Sequence, residues 1–333
     1  MIECIFTIDY EIYGNGKGSL RQLVYEPARK LKELLDRTGM KAVMFVEAAE
    51  LEKIEASGAD PAIGEVKQQL RELYKERHEI ALHIHPQWCD ASYHNGKWCL
   101  NYSEYNLCTL PKKRIAEIVD GSIAYLRTML AVPDFTPLSF RAGGWLLQPS
   151  RNAADILIER GVKIDSSVFR GGIRRWHKLD YRRAAKNEYF WKFRDDANIP
   201  DQNGSLLEIP IYTRMVPFWE LVTLKRFILQ QKGFSGAQTI KQKLCRFQDI
   251  ARFRYPMKFD FCRMTVNELV RMVDTVIEED QRDPSSFKPL VAIGHTKDLA
   301  DLKTVESLLY YLEKQGIAIS TFEEIYNKYK LWK

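Results

Sequence analysis

Two pairs of ionisable side chains stand two residues apart at the ends of apolar runs. Asp9 and Glu11 end the run IFTIDYE, and His83 and His85 end the run EIALHIHP, which Pro86 stops. Side chains alternate across a strand, so residues at i and i+2 point to the same face. A catalytic zinc typically takes about three His or carboxylate ligands, and a spare carboxylate nearby can act as a base. The two pairs therefore predict a metal-dependent hydrolase.

Either pair alone is more typical of ordinary strand ends, with solvated carboxylates or histidines packed under a loop. The chain has only six histidines, however, and His83 and His85 lie together at the end of an apolar run. Burying such groups without partners costs free energy, and a metal is one way to satisfy them. Jointly the pairs favour a site. Cys89, close to His85, is a minor alternative ligand.

The elements that must position these residues alternate between strands and helices. Strands are predicted at residues 2–9, 42–46, 79–85, 137–142, 162–165, 206–211, 289–294 and 317–320. Helices are predicted at 28–38, 112–130, 151–160 and 307–315, and another after a capping box at Thr265 and Glu268. This order indicates a parallel sheet or a (β/α) barrel, whose active site lies at the C-terminal strand ends. Asp9, His83, Arg141, Asp165 and His295 all fall at such ends.

In its ordered motifs the sequence resembles the NodB-homology polysaccharide deacetylases, also called carbohydrate esterase family 4. The matching motifs are FTIDYE, HEIALHIHP, FRAGGW, VKIDSSVF and VAIGHTKD, and they cover residues 1–170 and about 286–325. The resemblance implies an α/β fold, a distorted (β/α) barrel of the NodB-homology type, in one domain over residues 1–333. Residues 170–260 would form a basic insertion within it. The implied activity is removal of an N-acetyl group from an acetamido sugar.

The resemblance also implies catalytic roles. Asp9 would be the general base, and Arg141 would hold it ionised, since an opposite charge favours the carboxylate. His295 would be the general acid that protonates the leaving amine, with Asp165 orienting its imidazole and raising its pKa.

The metal ligands depart from the family's pattern at two positions. Tyr10 stands where the family has its metal carboxylate, and Gln87 stands where it has its second histidine. We therefore expect Glu11, His83 and His85 to bind the metal. This set suits zinc and also ferrous iron, and cobalt or nickel are further alternatives. The roles of Asp9 and Glu11 remain exchangeable on sequence grounds.

Aromatic residues near the motifs are candidates for a substrate groove. Trp88, Trp98 and Trp145 have faces on which sugar rings can stack, although an anchoring role in loop packing is equally compatible. Gly143 and Gly144 are further candidates beside Arg141, where a tight turn is the simpler explanation.

The middle of the chain is strongly basic. Residues 170–194 carry nine Lys/Arg against two Asp/Glu, and residues 241–258 carry six against one, while the whole chain nets only +6. A solvated face is one explanation. The other is an anionic substrate, such as a nucleotide- or lipid-diphosphate-linked acetamido sugar of a surface polysaccharide, because Arg makes bidentate phosphate contacts.

Two other functional classes stay open. One is a non-catalytic sugar- or phosphate-binding protein on the same fold; the other is a peripheral membrane or nucleic-acid-binding module. No nucleic-acid motif accompanies the basic runs, so no nucleic-acid partner is expected. The apolar segment 217–232 could contact a membrane surface, although a helix packed on the barrel is the favoured interpretation.

The start of the chain reads as a first strand and not as a signal peptide, and no apolar run is long enough to span a bilayer. Its six cysteines form no CxxC pair. We therefore expect a cytoplasmic protein.

Overall fold

A curled, mostly parallel β-sheet forms the centre of the fold. The computed structural model describes residues 1–186, 188–221 and 252–331. In chain order the described strands are β1 (Ile2–Tyr10), β2 (Val43–Glu47), β3 (Glu79–Ile84), β4 (Ser92–His94), β5 (Lys97–Cys99), β6 (Ser139–Ala142), β7 (Ile164–Asp165), β8 (Ile173–Arg174), β9 (Leu179–Asp180), β10 (Trp191–Phe193), β11 (Leu206–Glu208), β12 (Thr213–Pro217), β13 (Arg254–Lys258), β14 (Lys288–His295) and β15 (Ala318–Ile319). Nine of them form the main sheet, in the order β10-β11-β7-β6-β3-β2-β1-β14 with β15 beside β1. Only β10 and β11 pair antiparallel in it.

Helices cover the sheet between its strands. Those described are α1 (Glu26–Thr38), α2 (Ala48–Ser57), α3 (Ile63–Lys75), α4 (Lys112–Leu130), α5 (Arg151–Glu159), α6 (Val266–Arg282), α7 (Leu302–Lys314) and α8 (Phe322–Leu331). The predicted capping box starts α6: the Thr265 hydroxyl accepts from the Glu268 backbone N–H, and the Glu268 carboxylate accepts from Thr265. In the part of the chain that the structure describes, none of the helices combines the length and apolar character needed to cross a membrane.

The sheet curls because short segments close the gap between its two edges. The Ile211 N–H donates to the Val168 carbonyl at 2.9 Å, and the Tyr212 N–H donates to the Val291 carbonyl at 3.1 Å. Further along the chain, the Phe261 N–H donates to the Ile293 carbonyl of β14 at 3.1 Å. These bonds connect β7 and β11 with β14, so the predicted distorted (β/α) barrel is confirmed.

All eight predicted strands occur, with end shifts of a few residues. The described part of the segment 170–260 contributes β10, β11 and the barrel closure, together with two hairpins, β8–β9 and β12–β13. Apart from β11, which falls within the predicted strand 206–211, these strands were not predicted, because at two to five residues they are too short for a periodic signal in the sequence. The segment 217–232, for which the sequence favoured a helix packed on the barrel over contact with a membrane, lies mostly outside the described residues. Its described start carries Phe218 and Trp219, which are more than half exposed.

Candidate active site

Four side chains of the predicted site meet at the C-terminal edge of the sheet. Strand register pairs Asp9 of β1 with His295 of β14, and His83 of β3 with Arg141 of β6. All four are at most 6% exposed. Parallel strands end at one edge, and the buried face of each strand turns these side chains into the barrel interior.

Arg141 holds the Asp9 carboxylate in place. Its Nη1 donates to Asp9 Oδ1 at 2.6 Å, its Nη2 to Thr7 Oγ1 at 3.0 Å, and its Nε to the Ser166 carbonyl at 2.9 Å. The guanidinium also lies 4.0 Å from the centre of the Phe45 ring. Burial raises the pKa of Asp9, but Arg141, His83 and His295 together outweigh it and leave this pKa below its usual range. These groups favour the anionic form of Asp9.

The three predicted metal ligands also converge. One ligand atom each of Glu11, His83 and His85 lies within 4.8 Å of the others. Glu11 Oε2 lies 3.1 Å from His85 Nε2 and 3.8 Å from His83 Nε2. Both Glu11 Oε2 and His83 Nε2 are buried without a hydrogen-bond partner. The Nδ1 of His83 lies 2.8 Å from the Arg141 carbonyl, which fixes its proton on Nδ1 and leaves Nε2 free to bind a metal.

Such a set fits zinc, which binds imidazole and carboxylate together. A second set of possible ligands consists of Asp9, Glu11 and His295, which also have one ligand atom each within 4.8 Å of the others. Glu11 belongs to both sets. The geometry therefore agrees with Glu11 as a ligand on either side of the cleft. It leaves the division of roles between Asp9 and Glu11 to experiment.

Gly143 and Gln87 support His85. A Cβ on Gly143 would lie 2.5 Å from the Ile84 carbonyl and 2.7 Å from the His85 ring, so only glycine lets the imidazole sit here. The Gln87 side-chain amide lies 3.2 Å from His85 Nδ1. The sequence offered Gly143 as a substrate-groove candidate, with a tight turn as the simpler explanation; in the structure it lies against Ile84 and the candidate metal ligand His85.

Lys297 was missed in the sequence and is the nearest cation to Glu11. Its Nζ donates to Glu11 Oε1 at 2.6 Å. Burial raises the pKa of Glu11, but the ammonium of Lys297 and the neighbouring imidazoles outweigh it and hold this pKa well below its usual range. Two more buried carboxyls, Glu47 and Glu50, lie behind it, and burial raises the pKa of both well above the usual range. These shifts favour the neutral form of both carboxyls, so the ammonium of Lys297 acts mainly on Glu11, to which it is hydrogen-bonded.

His295 faces Asp9 across the cleft. Its Nε2 lies 3.4 Å from Asp9 Oδ2, and the Trp145 ring packs edge-on against the imidazole at 5.9 Å. Burial lowers the pKa of His295, while the carboxylates of Asp9 and Asp298 raise it, and the net shift is downward. Asp298, which the sequence reasoning did not use, is bound by Arg263 at 2.5 Å.

The predicted contact between Asp165 and His295 is wrong. The Asp165 carboxylate accepts from the Ser167 N–H at 2.9 Å and from the Ser167 hydroxyl at 2.7 Å, and it also interacts with Glu208. His295 Nδ1 has no hydrogen-bond partner among the described residues. The physical reason is local: the Asp165 carboxylate accepts from the backbone N–H two residues on, as Asp does in turns.

Of the two roles that the sequence left open for the tryptophans, sugar stacking and loop packing, the structure favours packing for Trp88 and Trp98. Trp88 is completely buried, and Trp98 packs against it at 4.9 Å, outside the residues that line the cleft. Trp145 does line the cleft but is only 9% exposed. Lys258 Nζ lies 3.1 Å from the centre of the Trp145 ring, and Arg174 Cζ lies 5.3 Å from it. Because Trp88 is completely buried, a sugar cannot stack on it. The face of Trp145 is already covered by these two basic side chains.

Together the site residues line a cleft of about 330 Å³. Its described lining comprises Asp9, Glu11, Tyr13, Gly14, Asn15, His83, His85, Tyr102, Tyr105, Gly144, Trp145, Arg174, Arg263, His295, Lys297 and Asp298. Gly144 has a φ of 60°, in the left-handed region that favours glycine, and its carbonyl accepts from Arg174 at 3.4 Å. The turn at Gly144 thus places Arg174 at the mouth of the cleft.

Other candidate ligands do not join this site. Cys89 belongs to none of the ligand sets found among the described residues, and burial raises the pKa of its thiol to about 12. A separate set, Asp36, Glu76 and His78, already holds the Lys32 ammonium, 2.6 Å from Asp36 and 2.5 Å from Glu76.

Comparisons with known proteins give matches in structure. A scan against protein-family models finds no match, and no curated protein matches the sequence. A protein described as a polysaccharide deacetylase from Mycobacterium smegmatis superposes with a TM-score of 0.57 at 14% identity, covering 99% of this chain and 91% of its own. A second protein described as a polysaccharide deacetylase, from Pseudomonas aeruginosa PAO1, superposes with a TM-score of 0.51 at 12% identity, covering 97% of this chain and 89% of its own.

The fold is shared beyond deacetylases. A 4-alpha-glucanotransferase from Thermococcus litoralis superposes with a TM-score of 0.54 at 15% identity, over 98% of this chain and 40% of its own. The reaction must therefore be argued from the side chains in the cleft and not from the fold. In its architecture, this chain has the NodB-type α/β fold of the polysaccharide deacetylases.

Proposed function

We propose that this protein is a metal-dependent hydrolase that removes the N-acetyl group from an acetamido sugar, with zinc as the metal. The observation that carries the proposal is the convergence of Glu11, His83 and His85 in one cleft with Asp9 and His295. The fold is one on which polysaccharide deacetylases are built, so it is compatible with this reaction but does not specify it. Iron, cobalt and nickel accept the same ligand types and are alternatives to zinc.

Glu11, His83 and His85 would hold the metal. A bound zinc polarises an acyl carbonyl and lowers the pKa of water to roughly 7. Asp9 accepts a proton from the attacking water through Oδ2, because Arg141 holds Oδ1. A carboxylate with a lowered pKa is a weak base, so this role suits a water that is already acidic.

His295 gives a proton to the departing amine. An amine leaves poorly without that proton, so amide hydrolysis requires an acid on this side of the cleft. The Asp9 carboxylate, 3.4 Å from His295 Nε2, and the carboxylate of Asp298 favour the protonated imidazole and offset part of the larger effect of burial, which lowers the pKa of His295 overall. In this proposal the charge of Asp298, not that of Asp165, supports the imidazolium.

The substrate in this proposal is an acetamido sugar carried on a nucleotide or lipid diphosphate, a precursor of a surface polysaccharide. Of the basic residues that line the cleft, Lys297 is paired with Glu11 and Arg263 with Asp298, whereas Arg174 has no carboxylate partner among the described residues and can contact an anionic substrate. The local charge of residues 170–194 supports the same choice.

Acetate release tests the proposal directly. Zinc-loaded and chelator-treated protein are incubated with UDP-N-acetylglucosamine and with a neutral chitooligosaccharide, and released acetate is measured. We expect acetate only from the loaded protein. Asp9→Asn should keep zinc and lower kcat by about 10²–10⁴-fold, as loss of acid–base catalysis does. Glu11→Gln should lose zinc.

Asp134→Asn is the matched control, because Asp134 is exposed and has no ion-pair partner among the described residues. It should keep both zinc and turnover. If Asp9→Asn loses zinc and Glu11→Gln keeps it, their roles are exchanged. Wild-type protein that holds one zinc but releases no acyl group from a panel of acetamido sugars would overturn the proposal.

A further inference from the structure

A second cavity lies among the basic segments and is separate from the cleft. It encloses about 660 Å³, which is in the range of pockets for small molecules. Six cationic side chains line it: Arg170, Arg182, Lys186, Arg214, Arg252 and Arg254. Among its described lining residues Glu279 is the one acid, and no lining residue is shared with the cleft.

Arg170 lines this cavity, and among the described residues it forms no ion pair with a carboxylate. Its Nη1 donates to the Lys186 carbonyl at 2.9 Å, and its Nε is buried with no hydrogen-bond partner. Glu279 lies near enough for its charge to act on Arg170, but its carboxylate accepts from the Tyr189 hydroxyl. An unsatisfied buried N–H costs free energy, so a ligand oxygen that accepts from Arg170 would be stabilising.

The other cations reach the cavity from separate segments. Arg214 belongs to β12, Arg254 begins β13, and Lys186 follows the β8–β9 hairpin. None of these three side chains has an ion pair with a carboxylate in the described ranges. A solvated charge run would spread over a convex surface, whereas these cations converge on one concavity. Arg182 and Arg252 also line it, although Arg182 is paired with Asp180.

Two tyrosine rings form one wall of the cavity. Tyr189 and Tyr212 lie nearly parallel, at an interplanar angle of 6° and a centroid separation of 6.2 Å. Aromatic faces beside guanidinium groups suit a ligand that has a flat or apolar portion next to an anionic one.

Strand β13 connects this cavity with the cleft. Arg254 lines the cavity, and Lys258, four residues further on, lies on the Trp145 ring at the wall of the cleft. Residues at i and i+4 of a strand share a face, and four steps of about 3.3 Å span roughly 13 Å. A sugar diphosphate has about this reach, so one molecule can occupy both places.

We infer that the cavity binds the diphosphate of a sugar carrier while the acetamido sugar lies in the cleft. This inference rests on the proposed function for the sugar end only. Arg170 and Arg214 make bidentate contacts with phosphate oxygens, and the Tyr189–Tyr212 wall contacts the carrier group. The carrier is a nucleoside or a lipid, because both present the same diphosphate ester.

Calorimetric titration of the zinc-loaded full chain tests the inference with UDP, farnesyl diphosphate and neutral uridine. We expect both diphosphates to bind and uridine not to bind. Arg214→Gln should weaken diphosphate binding about tenfold to hundredfold, the range of one charge-assisted contact. Arg183→Gln, the same change on an exposed residue outside the lining, should leave binding unchanged. Arg170→Gln is a second test, and circular dichroism checks its fold.

The outcomes separate this inference from the proposed function. Tighter UDP binding identifies a nucleoside carrier, and tighter farnesyl diphosphate binding identifies a lipid carrier. Glu11→Gln should bind diphosphate like the wild type. No diphosphate binding, or binding that Arg214→Gln leaves intact, overturns the inference even if acetate is released. Diphosphate binding without deacetylation leaves the cavity assigned and removes the proposed reaction.

Discussion

Replacing Gly143 by Ala should disrupt metal binding through His85. The added Cβ would lie 2.7 Å from the His85 ring, and an ordinary contact begins at 3.4 Å, so the ring must move by about 0.7 Å. Metal–ligand distances tolerate only about 0.2 Å. The backbone at Gly143 is not in the left-handed region, so the effect comes from the contact and not from backbone strain.

We expect zinc affinity of Gly143→Ala to fall at least about tenfold to hundredfold, the range for disturbed ligand support. Overpacking should also cost about 1–3 kcal/mol in the free energy of unfolding. Competition with a fluorescent chelator measures the affinity, and urea unfolding measures the stability. Gly64→Ala is the matched control, because nothing lies within 4 Å of its added Cβ on α3. Wild-type zinc affinity in a folded Gly143→Ala variant would refute the reasoning.

Two further predictions concern the fold. Burial raises the pKa of Glu79 to about 7 from a usual 4.5, so its contribution to stability is lost as pH rises through that window. The free energy of unfolding of Glu79→Gln, taken relative to that of the wild type, should therefore rise by about 3 kcal/mol from pH 4 to pH 8. Urea unfolding at both pH values measures it, and the same variant-to-wild-type difference at both would contradict this pKa. Thr265→Ala should lose about 1 kcal/mol by removing the α6 cap, whereas Thr265→Ser should keep it; equal stability of both variants would show that the cap contributes nothing.

The convergence of the site was predictable because it depends on two local rules. Asp9 and Glu11 share a strand face, as do His83 and His85, and parallel strands bring their C-terminal ends to one edge. The strands that carry them are buried apolar runs, which stand out in sequence. Most of the barrel could therefore be predicted together with its catalytic edge.

The electrostatic partners of the site were missed for different reasons. Lys297 stands in the motif VAIGHTKD, but it pairs with Glu11, 286 residues away in the chain, and that pairing depends on tertiary structure. Asp298 stood inside the motif VAIGHTKD, three residues after His295, and that closeness was an unused signal. Asp165 could have been assigned to its turn, since Asp followed by Ser at i+2 commonly binds that backbone.

The burial of the aromatic residues was also not predictable from the sequence. Trp88 and Trp98 lie in a polar segment that favours an exposed groove, yet Trp88 is completely buried beneath its hairpin. Composition does not say which face of a loop turns inward, because Trp is both apolar and able to bind sugars. The cations on Trp145 come from β8 and β13, two strands that the periodicity did not predict.

Anomalous diffraction at the zinc edge, on crystals grown with zinc, tests the central claim most directly. We predict one strong peak at about 2.0–2.2 Å from His83 Nε2, His85 Nε2 and a Glu11 carboxylate oxygen. The same peak should be missing from crystals of Glu11→Gln. A peak bound by other residues, or none in this cleft at saturating zinc, would contradict the assignment of the metal site.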